Sequence, residues 1–152
     1  MAINPNTQFS SGAVYTADQA NRFPRGLMQY NTASSTDASV TAEEIQITLA
    51  SFTAATNRLY RITYYEPGFG SSVAAAMTMR IRLTNISGTI QQQGIVYNTG
   101  AQQQTGFIQN VVTFTAGPVV LVATLQNSAG TGTANRTSTA QALLLVEDIG
   151  LL

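Results

Sequence analysis

The alternation of apolar and polar side chains is the dominant pattern in this sequence. It is clearest in residues 77–85, where the two kinds of side chain fall on opposite parities: Met77, Met79, Ile81 and Leu83 against Thr78, Arg80, Arg82 and Thr84. A period of two puts the first set on one face of a pleated strand and the second set on the other. The segment is therefore predicted to be a half-buried β-strand.

Similar segments recur at turn spacings of roughly 8 to 14 residues, and no amphipathic helical pattern separates them. In the second of them, Ile45, Ile47 and Leu49 are predicted to face inward and Gln46 and Thr48 outward. The predicted strands are 27–30, 45–49, 59–65, 77–85, 89–97, 107–115, 119–126 and 137–147. About eight strands in one chain predict an all-β, single-domain antiparallel β-sandwich, with a jelly roll as the expected topology.

The segments between these strands give further predictions. Residues 66–70 combine Pro with two Gly and are predicted to form a turn. Gly94 is expected to mark a bulge. The short link 116–118 suits an antiparallel hairpin between its two flanking strands. The apolar run 143–146 predicts a last strand that is buried on both faces.

The N-terminal region is predicted to be an extended arm with one helical turn. Thr16 and Gln19 have the spacing of a capping box. Pro24 should end the turn, and Gly26 permits a sharp change of direction. We therefore divide the chain into an arm, residues 1–25, and a β-sandwich domain, residues 26–152. The residues expected to dock the arm for assembly are Tyr15, Phe23, Pro24 and Arg25.

Composition narrows the possible partners. Charged residues make up 9% of the 152 residues, and seven acidic groups balance seven basic ones. No field of one sign would attract nucleic acid or an anionic membrane, so neither partner is expected. All the basic residues are Arg, which suits partly buried ion pairs at packed interfaces, although compositional drift is an equal alternative. Arg80 and Arg82 are the candidate ion-pairing residues of a subunit interface.

The inventory of reactive groups argues against an enzyme. The sequence contains no His and no Cys, and no Asp-rich loop, so no cofactor or metal is expected. The adjacent acids Glu43–Glu44 and Glu147–Asp148 point to opposite faces if they lie on strands. They are expected to lie at strand ends in solvent or to pair with arginines, namely Arg58, Arg61, Arg80 and Arg82.

Two apolar features suggest contacts. Tyr64, Tyr65 and Phe69 border one predicted loop and could stack on a sugar ring or meet another subunit, although filling the core is the commoner role of such residues. The Leu-rich C-terminal segment must also be covered. Either the core of the same domain or a neighbouring subunit could cover it.

Three parts of the sequence resemble a family of small structural proteins of tailed bacteriophages: residues 15–26, residues 52–63 (apart from 55–57) and residues 143–150. The resemblance implies a virion protein. Because residues 1–6 have no basic and no apolar signal region, we expect it to be made in the host cytoplasm without a signal peptide. Its partners would be copies of itself, with a trimer as the expected oligomer, and other virion proteins. It implies a minor tail or fibre-associated component or a head decoration protein, without choosing between head and tail, and it implies no catalytic residues.

Two other functions stay open from the sequence. A carbohydrate-binding module would recognise a host surface glycan through Tyr64, Tyr65 and Phe69. A glycosidase would need two carboxylates about 5 to 10 Å apart across a cleft, with Glu43 and Glu44 as the pair to examine. We rank the glycosidase last.

Overall fold

The computed structural model describes Val14 and residues 16–100 and 102–152. Tyr15 of the predicted arm lies outside these residues. The described residues form one short helix and twelve strands: α1 Ala17–Arg22, β1 Gly26–Ala33, β2 Asp37–Val40, β3 Glu44–Thr48, β4 Phe52–Ala54, β5 Arg58–Ser71, β6 Ala75–Leu83, β7 Ile90–Asn98, β8 Gln103–Val112, β9 Gly117–Val119, β10 Leu121–Asn127, β11 Gly132–Ala134 and β12 Ala142–Leu151.

The strands build two main antiparallel sheets. In sheet A, β5 lies between β12 and β8, and β1 pairs with the far side of β12; β11 and β2 extend the sheet beyond the end of β12. Sheet B has the order β3-β10-β6-β7, and β4 and β9 form a small ribbon. This is the predicted antiparallel β-sandwich, and its architecture is jelly-roll-like.

The core lies between the inner faces of the two sheets. Sheet B contributes the predicted apolar parity of β6, and β10 adds alternate residues next to it. Sheet A contributes Tyr60, Ile62 and Tyr64, which share one face of β5. The largest fully buried apolar side chains are Tyr60, Tyr64, Phe69, Leu49, Ile62, Met77, Met79, Ile81, Leu121, Leu125 and Leu144.

The predicted helical turn is present. The Thr16 hydroxyl accepts a hydrogen bond from the Gln19 backbone N–H, and the Gln19 side chain accepts one from the Thr16 backbone N–H. The helix ends at Arg22, just before Pro24. Gly26 has a φ of 77°, so the change of direction into β1 uses the left-handed region that glycine tolerates. The division between residues 25 and 26 stays a prediction.

Strand count and strand length differ from the prediction. Twelve strands form in the described residues instead of about eight, because several segments that looked like loops pair over three or four residues. The predicted turn at 66–70 is wrong, since β5 continues through it to Ser71. A register shift between Glu66 and Phe69 absorbs the Pro-Gly pair. Pairing with β8 and β11 on either side overrides the local turn preference.

The predicted hairpin around residues 116–118 is also wrong. The strand before it, β8, pairs with β5 in sheet A, whereas the strand after it, β10, pairs with β3 and β6 in sheet B. The link therefore crosses from one sheet to the other. Part of it forms β9, which pairs with β4.

Gly94 does not mark a bulge. It pairs with Met79, and the register of β7 shifts closer to its start, between the partners of Ile81 and Arg82. A Cβ at Gly94 would come within 2.5 Å of the Ile108 side chain. The glycine is therefore explained by close packing of β7 against β8.

The inward and outward assignment of β3 is partly wrong. A register shift against β10 lies at Gln46, so that Thr124 pairs with Ile45 and Ala123 with Ile47. Ile47 is buried as predicted, but Ile45 is exposed. Gln46 instead reaches the buried Arg136 side chain.

The last strand is not buried on both faces. Along β12 buried and half-buried positions alternate, with Leu144 and Val146 in the core. Leu143 and Leu145 point to the opposite, outer face of sheet A. The run looks continuous because both faces of this central strand are apolar, although only one belongs to the core.

Candidate interaction surface

The predicted arm docks on the sandwich at its helix. The buried Arg58 side chain donates hydrogen bonds to the backbone carbonyls of Asn21 and Phe23, each at 2.6 Å. The same guanidinium forms a buried ion pair with Asp148. Pro24 lies close to Gly150, and the Phe23 side chain is 41% exposed. The helix is therefore fixed to sheet A through its C-terminal end.

The candidate glycan site is not formed. Tyr64 and Phe69 are buried in the core, and only Tyr65, on the opposite face of β5, reaches the outer surface. The alternation of the strand separates Tyr64 from Tyr65. The prediction that all three could stack on a sugar or meet a subunit is wrong for Tyr64 and Phe69, which have the core role that was the alternative.

Arg80 and Arg82 form their ion pairs within their own chain. Glu43 receives two hydrogen bonds from Arg82, at 2.6 and 2.8 Å, and lies 2.9 Å from Arg80. It also accepts a hydrogen bond from the Thr124 hydroxyl. We call these four residues the Glu43 cluster, which lies on the outer face of sheet B. The prediction of subunit-interface ion pairs is thus replaced by pairing within the chain.

The electrostatics of the Glu43 cluster follow from this geometry. Burial acts to raise the pKa of Glu43, but hydrogen bonds from Arg82 and Thr124, together with the charges of Arg80 and Arg82, lower that pKa below its ordinary value overall. The carboxylate is therefore held in its charged form. The alternative prediction that the adjacent acids pair with arginines is confirmed for Glu43 here.

The prediction that adjacent acids pair with arginines is also confirmed for Glu147 and Asp148. Asp148 pairs with Arg58 in the core, and Glu147 pairs with Arg61 on the outer face of sheet A at 2.8 Å. The neighbouring carboxylates point to opposite faces, as their positions on a strand require. Glu147 raises the pKa of Arg61 through its hydrogen bond and its charge.

A buried polar network escaped the sequence analysis. Arg136, which follows β11, donates two hydrogen bonds to Glu66, at 2.8 and 2.6 Å, and Glu66 accepts a third from the Tyr64 hydroxyl. Burial and the nearby Glu66 carboxylate raise the pKa of Tyr64 well above its ordinary value. No local pattern marks Arg136, because its partner is distant in sequence.

Gln46 extends this network towards the surface. Its side chain accepts from Arg136 and donates to Asp37 and Glu44. Burial acts to raise the pKa of Asp37, but its hydrogen bonds lower it to about 2. Burial and the neighbouring Asp37 raise the pKa of Glu44. The pKa values of the two carboxyl groups are thus shifted in opposite directions, as happens for closely spaced acids.

The outer face of sheet A carries apolar or aromatic side chains on each of four neighbouring strands. Four strands carry it in the order β1, β12, β5, β8, and their registers align three rows across it. The rows are Thr32-Leu143-Tyr65-Phe107, Tyr30-Leu145-Thr63-Gln109 and Leu27-Glu147-Arg61-Val111. We call these twelve residues the sheet A outer face.

Its edges are the most exposed. Leu27, Tyr30, Phe107 and Val111, on β1 and β8, are between 47% and 61% exposed, whereas the central Leu143, Leu145 and Tyr65 are half-buried. The only charged residues on the face are Arg61 and Glu147, which pair with each other. Alternation in β8 could have indicated Phe107 and Val111, but only the register shows that they join β12 and β1 in one surface.

A polar cleft lies near the end of β5 and β11. It has a volume of about 380 Å³ and is lined by small or polar residues: Ala38, Gly70, Ser71, Ser72, Gln103, Thr131, Thr133 and Asn135. These side chains could donate and accept hydrogen bonds. None of these lining residues is aromatic, so the lining provides no ring that could stack on a sugar.

Searches for other kinds of site gave two negative findings. Within the described part of the chain, His, Cys, Asp and Glu side chains do not cluster in threes as a metal site would require. Among the same residues, no helix has the length and apolar character needed to cross a membrane.

Comparison with protein-family models found no match, and comparison with curated proteins found none either. Solved structures give matches at low identity. The Eiger TNF of S. frugiperda is 9% identical over 85% of this chain and 92% of that chain, with a TM-score of 0.47. A carbohydrate-binding module from Cellvibrio mixtus lichenase 5A, in complex with cellotriose, is 15% identical over 79% of this chain and 96% of that one, with a TM-score of 0.36.

A chain from the T13 viral particle of IBDV also matches. It is 14% identical over 97% of this chain, which spans 40% of the length of the viral chain, and the TM-score is 0.47. At these identities the similarity concerns the fold, which hosts unrelated functions.

Proposed function

We propose that this protein is a non-enzymatic structural component of a tailed-bacteriophage virion, which associates with copies of itself and joins the particle through its N-terminal segment. The sheet A outer face is the observation that carries the proposal, because an apolar surface across four strands needs a partner. The sequence resemblance supplies the virion context. Placement at the tail or as head decoration belongs to the same proposal.

The docked helix supports the part of the proposal that concerns attachment. Arg58 holds the C-terminal end of α1 through two backbone carbonyls, so the helix has a fixed position on the sandwich. A helix held in this way suits an N-terminal segment that binds another virion protein. Deletion of the whole predicted arm, residues 1–25, would remove the partners of the buried Arg58 guanidinium, so a truncation that tests attachment has to end before Thr16.

Two experiments test the proposal. Immunogold electron microscopy of whole particles should place gold on the head or on the tail, and particles without gold would overturn it. Deletion of residues 1–15 should leave a folded, self-associating protein that no longer joins the particle. Incorporation of this truncated chain at the wild-type level would show that the N-terminal segment is not the attachment.

The carbohydrate-binding alternative now depends on one aromatic residue. Tyr65 is the member of the predicted trio that reaches the surface, and it lies within the sheet A outer face. If this face bound a glycan, Tyr65→Ala would abolish binding on a glycan array while Tyr97→Ala, on the outer face of sheet B, would not. No glycan signal from the wild type would remove the alternative.

A further inference from the structure

We infer that the sheet A outer face is a two-fold interface between two copies of this chain, in which β12 of one copy lies over β5 of the other. The inference rests on the self-association proposed above and specifies its geometry. Its basis is the order of residues across the face, which is complementary to itself under one rotation.

The rotation axis lies between the two copies, parallel to the strands, and passes over the line between β12 and β5. It keeps each row in place and reverses the order of the strands within the row. The first residue of a row on one copy then faces the fourth residue of the same row on the other copy, and the second residue faces the third. Such an interface is isologous, because residue i meets j and j meets i.

In the third row this operation pairs opposite charges. Glu147 of each copy faces Arg61 of the other, so the two ion pairs within the chains become a group of four alternating charges. The same row brings Leu27 over Val111 at both ends. The face thus has no like charges in opposition, which would cost affinity in a wrong partner or register.

The other rows bring apolar groups together. In the first row Leu143 faces Tyr65, and Phe107 faces the methyl group of Thr32. In the second row Leu145 faces Thr63, and Tyr30 faces Gln109, whose side-chain amide is already held by the Thr63 hydroxyl at 2.9 Å. Sheets stacked face to face keep their strands within about 30° of one another, which preserves these pairings near the centre.

The size of the face suits the centre of such an interface. Three rows on four strands cover roughly 20 Å by 20 Å, on the order of 400 Å², at strand spacings of about 4.8 Å. A standard interface takes about 800 Å² from each partner, so surrounding positions would supply the remainder. Low net charge adds little repulsion between copies.

The first measurement is the mass of the full chain by sedimentation velocity. We expect a dimer, about twice the 16.1 kDa of one chain. R61E should make the charged row entirely acidic and E147R should make it entirely basic. Each variant alone should self-associate at least roughly 100-fold more weakly than the wild type, because like charges then face each other.

Mixing the two variants is the decisive step. The acidic row of R61E matches the basic row of E147R, so the mixture should form a heterodimer with near wild-type affinity. Restoration in a mixture requires contact between chains, because the pair within each chain is broken in both variants. The double variant R61E/E147R should dimerise by itself, and its circular dichroism spectrum serves as the control for folding.

Three results would overturn the inference. A monomeric wild-type chain would remove the self-association of the proposed function as well. A trimer, or a dimer whose R61E and E147R forms do not combine, would leave self-association standing but show that the face or the register is different. The two failures are thus distinguished by the mass of the wild type and by the mixing experiment.

Discussion

The outer faces of the two sheets use arginine and glutamate in opposite ways. On sheet B, Glu43 joins Arg80 and Arg82, with all three side chains about 15% exposed or less. On sheet A, the side chains of Arg61 and Glu147 are 42% and 29% exposed and stand among apolar residues. The sheet B cluster is complete within one chain, whereas the sheet A face leaves both apolar surface and charges accessible.

This difference explains what each face does. Thr124 and Val122 of β10 are fully buried although they point outward, because the long side chains of the Glu43 cluster cover them. Sheet B thus covers the centre of its outer face along β10, whereas Tyr97 of β7 stays exposed at its edge. The corresponding residues of β12, Leu143 and Leu145, are only half-buried, because no cluster of long charged side chains covers them. The long side chains of the Glu43 cluster cover the centre of one face, and under our proposal a second copy of the chain covers the other.

The largest expected effect concerns the outer face of sheet B, where the Glu43 cluster lies. Glu43→Gln should lower the free energy of unfolding by about 3 kcal/mol, because two partly buried guanidinium groups lose their carboxylate. Association should be unchanged, since the cluster lies on the other sheet. Urea denaturation with sedimentation velocity measures both. A variant that dissociates without losing stability would reverse the roles assigned to the two faces.

A somewhat smaller effect is expected on the sheet A outer face. Phe107→Ser should weaken self-association by about 30-fold, or ~2 kcal/mol, because each dimer loses two exposed rings. Its matched control is Tyr97→Ser, which removes a 74% exposed ring from the outer face of sheet B. Equal weakening by both variants, measured by sedimentation equilibrium, would contradict the comparison.

Acid should weaken the sheet B face through Glu43. The folded-state pKa of this group lies below its ordinary value of 4.5, so the stability it provides is present above pH 4.5 and is lost as the pH falls through the folded pKa. Glu43 takes up a proton on unfolding, because its pKa is higher in the unfolded chain, and acid therefore favours unfolding. The difference in unfolding free energy between the wild type and Glu43→Gln should therefore shrink between pH 6 and pH 3. A constant difference would show that Glu43 is not ionised in the cluster.

The smallest effect is expected for the exposed ion pair within a single chain. In the Phe107→Ser background, which weakens the dimer, Glu147→Gln should leave the midpoint of urea denaturation nearly unchanged. Exposed ion pairs are screened by solvent and hold flexible side chains. A loss of stability approaching that of Glu43→Gln would mean that the pair belongs to the fold rather than to the interface.

Local patterns in the sequence predicted the strands well. The parity of β6 correctly assigned its buried face, and the capping box correctly placed the start of α1. These features depend on neighbours within a few residues. The predictions failed where a distant partner decides, as at residues 66–70, which continue β5 because β8 and β11 pair with them.

In the candidate site, too, local features could be predicted from the sequence and contacts between distant residues could not. The adjacent acids and the arginines could be predicted to pair, but which acid pairs with which arginine could not. Glu43 and Arg82 lie 39 residues apart in sequence, and Arg136 and Glu66 lie 70 apart. The aromatic trio was misjudged because the strand continues past Glu66 and takes Phe69 into the core.

By itself the sequence determined an all-β chain, with low charge, arginine as its only cation and an alternation that separates two faces of each strand. Alternation says which residues share a face of one strand, because that is a property of the backbone. Only the tertiary structure decided which strands lie side by side. It therefore decided that Leu143, Tyr65 and Phe107 form one row, since register and strand order arise from hydrogen bonds between distant segments.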